Sequence, residues 1–313
     1  MKIVSSILII AFSFYSNAQD ITNESFQYEL EIGTDNDFLV FLIESDRYYT
    51  YGLSTTFRWR NEKSFFLEKW FSNKSDYFQY VGLNIEAYTP DYERENTETD
   101  RPYAGWSYAE LGVTYGFSTS FLRLGLDLGV LGPASRAGDI QNWFHENVTG
   151  DPTLDWSNQI GNQFGFNLRG LYASTFYDRR TFDIYAVADI SLGNIFTYIN
   201  SGVNFRWGIF NPLAQSASFQ NSLLATKANK EFYLDAGVAL KISAFNATIQ
   251  GDKIEQLNFL DSEFINNVFL NGHAGIYYVK NRWTTGVRYM YSSGELSDNH
   301  SQQYTMLTGA YRF

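Results

Sequence analysis

The sequence lacks cysteine and is poor in proline, histidine and cations. Its 313 residues include no Cys, 5 Pro and 3 His, and 34 Asp and Glu outnumber 23 Lys and Arg, which gives a net charge of −11. Without Cys there are no disulfides, so an exported chain must gain its stability from a large core, a closed sheet or a membrane. The acidic balance argues against a nucleic-acid partner, because phosphate binding uses clustered Lys and Arg.

Long apolar runs are also scarce, and the one that is present lies at the N-terminus. Residues 3–15 are apolar, follow Lys2 and precede small residues, which is the pattern of a cleaved secretory signal. We therefore predict that residues 1–18 are a cleaved signal peptide and that residues 19–313 form a single domain outside the cytoplasm. Since no second run of 18 apolar residues follows, a membrane-spanning helix is not expected.

Aromatic residues and glycine are abundant. The chain has 27 Phe, 23 Tyr, 7 Trp and 24 Gly, a composition that suits a transmembrane β-barrel with aromatic girdles. A soluble β-sandwich of similar length is the alternative. The stretches FLRLGLDLGVLG, TFDIYAVADI and FYLDAGVALKI alternate apolar residues with Arg, Asp, Lys or Gly. This period of two predicts long strands with one continuously apolar face, which favours the barrel.

The predicted fold is all-β, a transmembrane antiparallel β-barrel of about twelve strands, an even number as expected for a barrel closed by antiparallel pairing. The candidate strands are residues 25–38, 50–60, 77–89, 105–118, 120–132, 159–177, 181–193, 195–208, 231–246, 269–280, 282–294 and 302–313. Long connections at 90–104, 133–158 and 209–230 are expected to be functional or disordered. Within the second, AGDIQNWFHEN predicts a short helix near 138–147.

Two polar features are candidates for chemistry. The stretch GTDNDFLVFLIESDRYYTYG interrupts apolar residues with Asn36-Asp37, which are most simply turn residues. His145 lies on the predicted helix close to Gln141, Asn142 and Asp151, and amides around one His can orient an imidazole or bind a polar substrate. No GxSxG or HExxH motif is present, so a serine-hydrolase elbow and a zinc-protease site are not expected.

Further motifs occur in a recognisable order. They are NDF at 36–38, DRYYTYG at 46–52, YTP at 88–90, DRPYAGW at 100–106 and GPASRAGDIQNWFHENVTGDPTLDWSNQ at 132–159. In these motifs the sequence resembles the lipid A 3-O-deacylase family, LpxR, over essentially the whole mature chain. The resemblance implies an outer-membrane barrel of twelve strands whose active site lies between the wall and a short helix. It also implies hydrolysis of the ester at the 3-position of lipid A, with release of the 3′-acyloxyacyl group and dependence on Ca²⁺.

The resemblance also implies a set of site residues. Matched position by position, they are Asn36, Asp37, Thr50, His145 and Asp151. Asp151 stands where the family commonly has Glu. A catalytic-site Lys of some members has no counterpart, because the loop after YTP reads DYERENTET.

The residue types fit ester hydrolysis. Neutral His145 can accept a proton from an attacking water, as the His of secreted phospholipases A2 does. Asp37, with Asn36, would hold the Ca²⁺ that stabilises the oxyanion. Thr50 would either position the water or donate to the carbonyl. The expected partners are lipid A, the outer membrane and, because the last strand ends in Phe313, the barrel assembly machinery.

A rival interpretation is a non-enzymatic channel or surface-binding barrel. In that case Asn36-Asp37 are turn residues and His145 belongs to a plug helix, since a twelve-stranded barrel can be filled by side chains or loops. The two interpretations differ in geometry, because hydrolysis requires Asp37, Thr50 and His145 to converge on one site.

Overall fold

Twelve antiparallel strands close into a barrel in the computed structural model of the protein, which describes residues 26–37, 48–60, 76–91, 100–225, 230–252, 257–258, 260, 262–297 and 301–313. The barrel strands are β1 (Tyr28–Asn36), β2 (Tyr48–Arg60), β3 (Asp76–Thr89), β4 (Ala104–Gly116), β5 (Ser120–Leu131), β6 (Gln163–Arg179), β7 (Phe182–Gly193), β8 (Phe196–Ile209), β9 (Glu231–Asn246), β12 (Val268–Lys280), β13 (Trp283–Ser292) and β14 (Gln302–Arg312). Neighbouring strands pair in chain order, and β1 pairs with β14 to close the barrel. Gly251–Asp252 (β10) and Leu257–Asn258 (β11) form a separate short ribbon. The predicted all-β, twelve-stranded fold is confirmed.

The alternating sequence explains which side chains face the lumen. In β1, Glu29 and Glu31 are buried inside, whereas Leu30 and Ile32 are exposed outside. Arg58 of β2 donates to both glutamates, at 2.9 and 3.2 Å, so each inward carboxylate has a charged partner in the lumen. Because successive side chains point to opposite faces, a single register places every charge of this pair of strands inside.

The outer surface is apolar around most of the circumference. Large apolar side chains that are more than half exposed include Ile32, Leu83, Phe164, Leu168, Phe176, Leu192, Trp207, Phe232, Val238, Leu270, Ile276 and Val287. This polarity is the reverse of that of a water-soluble protein, and it matches a barrel whose outer face contacts lipid. Among the described residues, no helix is both long enough and apolar enough to cross a bilayer.

The two ends of the barrel differ. At the end that we call the helix rim, β5 and β6 are joined by a 3₁₀ turn (Pro133–Ser135), helix α1 (Ala137–Phe144) and a π-helical turn (His145–Thr149). This helical region agrees with the prediction for 138–147. The β9–β12 connection, which starts with a short helix α2 (Ala247–Gln250), lies at the same rim. At the opposite end, the terminal rim, Phe313 packs beside Tyr28. The predicted signal peptide lies outside the described residues.

The connection after β8 fills the lumen at the terminal rim. Residues 210–225, here called the plug segment, fold into three 3₁₀ turns. Leu213 packs against the wall cluster of Phe121 and Tyr185, and Leu223 and Leu224 pack against Phe78 and Tyr80. This connection was predicted to be functional or disordered, and its residues 210–225 form an ordered segment inside the barrel.

Arginines from five wall strands hold the plug segment. They donate to its backbone or side-chain oxygens: Arg58 to Gln220, Arg123 to Phe219, Arg206 to Asn211, Arg288 to Ser218 and Arg312 to Ser222. These charge-assisted hydrogen bonds give oxygens of the plug segment partners on the barrel wall. Between the plug segment and the helix rim, the lumen keeps a polar cavity of about 590 Å³.

Candidate functional site

The ends of β1 and β2 bring three of the predicted site residues together. Asn36 pairs with Tyr51, and the backbone N–H of Asp37 donates to the carbonyl oxygen of Thr50 at 3.3 Å. Asn36 follows the outward-facing series of Leu30 and Ile32, so its side chain lies on the outer face of the wall. Asn36, Asp37 and Thr50 are therefore neighbours at the helix rim.

A β-bulge sets the direction of Thr50. Tyr49 pairs with Tyr88 and Tyr51 pairs with Ala87, so Thr50 is an extra residue in β2. Bulges redirect side chains next to functional sites. Here Tyr49 points into the lumen, where its hydroxyl donates to Asp35 at 2.9 Å.

The side chain of Thr50 has a defined partner. Its Oγ1 lies 2.8 Å from Oγ1 of Thr89, the residue at the end of β3, and both threonines are buried. A hydroxyl group can donate and accept at once, so this contact fixes the rotamer of Thr50 and leaves its oxygen a second hydrogen-bonding direction. Thr89 belongs to the YTP motif, which was the available sequence signal for this role.

Helix α1 packs on the outer face of the same wall. The hydroxyl of Tyr51 donates to the carbonyl oxygen of Ala137 at 2.7 Å, and the hydroxyl of Ser107 donates to that of Ser135 at 2.7 Å. Gly105 of β4 allows this close approach, because a Cβ there would come within 2.6 Å of Cβ of Ala137. Since Tyr51 follows Thr50 directly, the helix is anchored beside the bulge.

His145 lies on the wall-facing side of the helix. Ala137, Gln141 and His145 are four residues apart and all buried, so they share one helical face. Trp143 and Phe144 lie on the other face and are exposed, at 59% and 37%. Exposed aromatic side chains on a helix outside a membrane barrel suit the boundary between lipid and water.

A backbone contact determines which nitrogen of His145 is protonated. Its Nδ1 lies 2.8 Å from the carbonyl oxygen of Pro152, and a carbonyl can only accept. In the neutral ring, Nδ1 therefore carries the hydrogen and Nε2 keeps its lone pair. This is the state that a general base requires.

Two amides hold the loop that carries this carbonyl. The side chain of Asn142 donates to the carbonyl of Leu154 at 3.0 Å and accepts from its N–H at 2.8 Å. Gln141 accepts from the indole of Trp156 at 3.1 Å. The amides predicted to orient the imidazole thus hold the loop, and Pro152 contacts the ring. Asp151, also in this loop, is exposed.

The oxygen groups near β1 are of the type that binds a hard cation. Both carboxylate oxygens of Asp37 are buried, and the preceding residue, Asn36, carries an amide oxygen. Carboxylate, amide and backbone oxygens are the ligands of Ca²⁺. Within the part of the chain that the structure describes, no group of three or more His, Cys, Asp or Glu is arranged around an ion.

The other candidates from the sequence lie elsewhere. His273 faces the lumen, where its Nε2 contacts Asp235 at 2.6 Å. Phe38 of the NDF motif, Asp46 and Arg47 of DRYYTYG, and His300 lie outside the described residues.

A family model and one solved structure agree with this architecture. A model of the family described as outer membrane protein LpxR matches residues 3–313. The solved structure of LpxR from Salmonella typhimurium superposes with a TM-score of 0.70 at 19% identity, covering 91% of this chain and 100% of that one. The KdgM porin matches with a TM-score of 0.39 at 8% identity, covering 91% and 99% of the two chains. The β domain of the Bordetella autotransporter Brka gives a TM-score of 0.46 at 10% identity, covering 93% and 99% of the two chains.

No curated protein matches. With the family matched over nearly its whole length and the barrel in agreement, the chain belongs to the LpxR family of outer-membrane β-barrel proteins.

Proposed function

We propose that the protein is an outer-membrane lipid A deacylase that removes the 3′-linked acyloxyacyl group by hydrolysing its ester. The observation that carries the proposal is the hydrogen bond of His145, whose Nδ1 lies 2.8 Å from the carbonyl oxygen of Pro152. In the tautomer that carries the hydrogen on Nδ1, Nε2 keeps the lone pair of a base, and it lies on a helix outside the barrel, where an ester of an outer-leaflet lipid can reach it.

The chain's own groups account for the proton movements. Nε2 of His145 takes a proton from a water molecule as the water attacks the acyl carbonyl, and it returns that proton to the sugar oxygen that leaves. The carbonyl oxygen of Pro152 stabilises the imidazolium formed in between, because it accepts from Nδ1–H. One water is consumed, and a fatty acid and a sugar hydroxyl are released.

Asn36, Asp37 and Thr50 would provide the other half of the site. Thr50, held by Thr89, orients the water or donates to the ester carbonyl. Asp37, with Asn36, would hold Ca²⁺, which when bound supplies positive charge that stabilises the oxyanion. Asp151 lies in the loop that also carries Pro152, and it would act on the site through its negative charge.

The plug segment weighs against the rival proposal of a channel. Residues 210–225 cross the lumen and contact the wall through buried apolar and arginine side chains. A water-filled pore through the described part of the barrel would require this segment to leave. Steady ion conductance by the wild-type protein in a planar bilayer would favour the channel instead.

Lipid A profiling tests the proposed activity. We expect mass spectrometry of lipid A from cells expressing the wild type to show loss of one acyloxyacyl group, and cells expressing His145→Ala to retain it. Asn147→Ala, at an exposed position on the following turn, is the matched control and should behave as the wild type. Equal deacylation by wild type and His145→Ala would contradict the role of His145. A Ca²⁺ chelator added to the purified enzyme tests the metal separately.

A further inference from the structure

Polar side chains continue outward from the candidate site across two further strands. Asn36 of β1 pairs with Thr305 of β14, and Thr305 pairs with Tyr289 of β13. Residues paired in this way share one face of a sheet, so all three lie on the outer face of the barrel. Gln303 follows on the same face of β14, and the hydroxyl of Tyr289 donates to its Oε1. We call Thr305, Tyr289 and Gln303 the polar row.

The polar row is a local exception on the outer surface. One step towards the terminal rim, the outward residues are the exposed Leu307 and Val287. On β6, β7, β8 and β12, exposed outward residues close to the helix rim include the apolar Phe164, Phe166, Leu192, Ile199, Val268 and Leu270. Polar side chains on a lipid-facing wall are costly unless they lie among headgroups or bind a polar ligand. Close to the helix rim, the polar row continues directly from Asn36 across two successive strands, which indicates a ligand that extends from the candidate site.

The chemistry of the polar row points to sugar hydroxyls. A threonine hydroxyl, a phenol and an amide both donate and accept hydrogen bonds without carrying charge. Phosphate recognition commonly uses Arg or Lys, and the row contains neither. Tyrosine adds an aromatic face on which the apolar face of a sugar ring can lie. Strands are spaced about 4.8 Å apart, so the row extends about 10 Å from Asn36, the scale of two linked sugar rings.

We propose that Thr305, Tyr289 and Gln303 form a neutral subsite that binds the sugar headgroup of the glycolipid whose ester lies at Asn36, Thr50 and His145. This inference rests on the proposed function, because the ester site defines where the headgroup begins. The glycolipid would lie against the outside of the wall, with its acyl chains along Leu307 and Val287 and its sugars along the polar row.

Conservative hydroxyl deletions test the subsite. Thr305→Val and Tyr289→Phe each remove one hydroxyl while keeping the shape of the side chain, and Thr285→Val removes one from an exposed outward position lower on β13. We expect each of the first two variants to raise KM for lipid A about five-fold, and the double variant about 25-fold, with kcat changed far less. For a single-sugar acyl ester, which cannot reach β13, the increase for Tyr289→Phe should disappear. Thr285→Val should match the wild type with both substrates.

A binding measurement separates this proposal from the proposed catalysis. In the inactive His145→Ala background, binding of a fluorescent lipid A analogue should still weaken with Thr305→Val and Tyr289→Phe. If wild-type protein releases no fatty acid but this weakening is seen, the subsite stands and the hydrolase proposal fails. The subsite proposal would be overturned if these variants bound the analogue as tightly as Thr285→Val does. It would also be overturned if Tyr289→Phe changed KM equally for lipid A and for the single-sugar ester.

Discussion

The approach of helix α1 to the wall depends on Gly105, which makes Gly105→Ala an informative substitution. The added Cβ would lie 2.6 Å from Cβ of Ala137 and 2.2 Å from Oγ of Ser135. Non-bonded carbon atoms prefer about 3.5–4.0 Å, so the turn before the helix must move outward by about 1 Å. A displacement of about 1 Å can reduce a rate about 100-fold, because reacting groups must be aligned. We therefore expect kcat for ester hydrolysis to fall by one to two orders of magnitude.

The assay compares kcat with the fraction of folded protein. Purified variants in detergent micelles are supplied with lipid A, released fatty acid is quantified, and the folded fraction is measured by heat-dependent migration on gels. Gly309→Ala is the matched control, because Gly309 lies on β14 where no atom would come within 4 Å of an added Cβ. Adding Ser135→Gly and Ala137→Gly to Gly105→Ala removes both clashing groups and should restore much of the activity. Wild-type kcat in folded Gly105→Ala would refute the argument that the helix position controls His145.

Two further substitutions probe single buried contacts. Thr89→Val removes the hydroxyl that holds Thr50 and should lower kcat about five-fold. Thr89→Ser keeps the hydroxyl and should retain most of the wild-type rate. Similar kinetics for both variants would contradict this role of Thr89. Asn221→Ala in the plug segment removes the oxygen that accepts from Arg123 at 2.9 Å, and we expect the free energy of unfolding in a urea titration to fall by about 1–3 kcal/mol. An unchanged urea midpoint would show that the plug segment contributes little to stability.

The fold follows from the sequence because the membrane imposes a simple pattern. Lipid outside and charge inside require strict alternation, so the predicted 231–246 coincides with Glu231–Asn246, and the predicted 181–193 agrees within one residue with Phe182–Gly193. The helix after β5 was also predictable, because AGDIQNWFHEN lacks strand formers. The adjacency of Asn36 and Asp37 to Thr50 follows once two successive strands are paired.

Other parts of the site depend on groups that leave no pattern in the sequence. The bulge at Thr50 exists only in the register between β2 and β3, and side-chain alternation does not reveal it. The partner of His145 is a backbone carbonyl, which every residue possesses, so nothing distinguishes Pro152 in advance. The joint action of Asp37, Thr50 and His145 stays a prediction for the variants described above.

The plug segment also lacked a sequence signal, because its 3₁₀ turns have no apolar period and are shaped by the wall around them. Contacts to Phe121 and Tyr185 on one side and to Phe78 and Tyr80 on the other determine its path. Residues of such a segment can be interpreted only together with the strands that enclose them.

The arginine contacts of the plug segment have a consequence for the closure of the barrel. Arg58, Arg123, Arg288 and Arg312 lie on β2, β5, β13 and β14, so all four donors surround the segment only when β1 is paired with β14. The complete set of these contacts therefore requires a closed ring. A strand that closed the ring one residue out of register would turn its arginine towards lipid and withdraw one of the four donors. Docking of residues 210–225 thus distinguishes a correctly closed ring from a misregistered one.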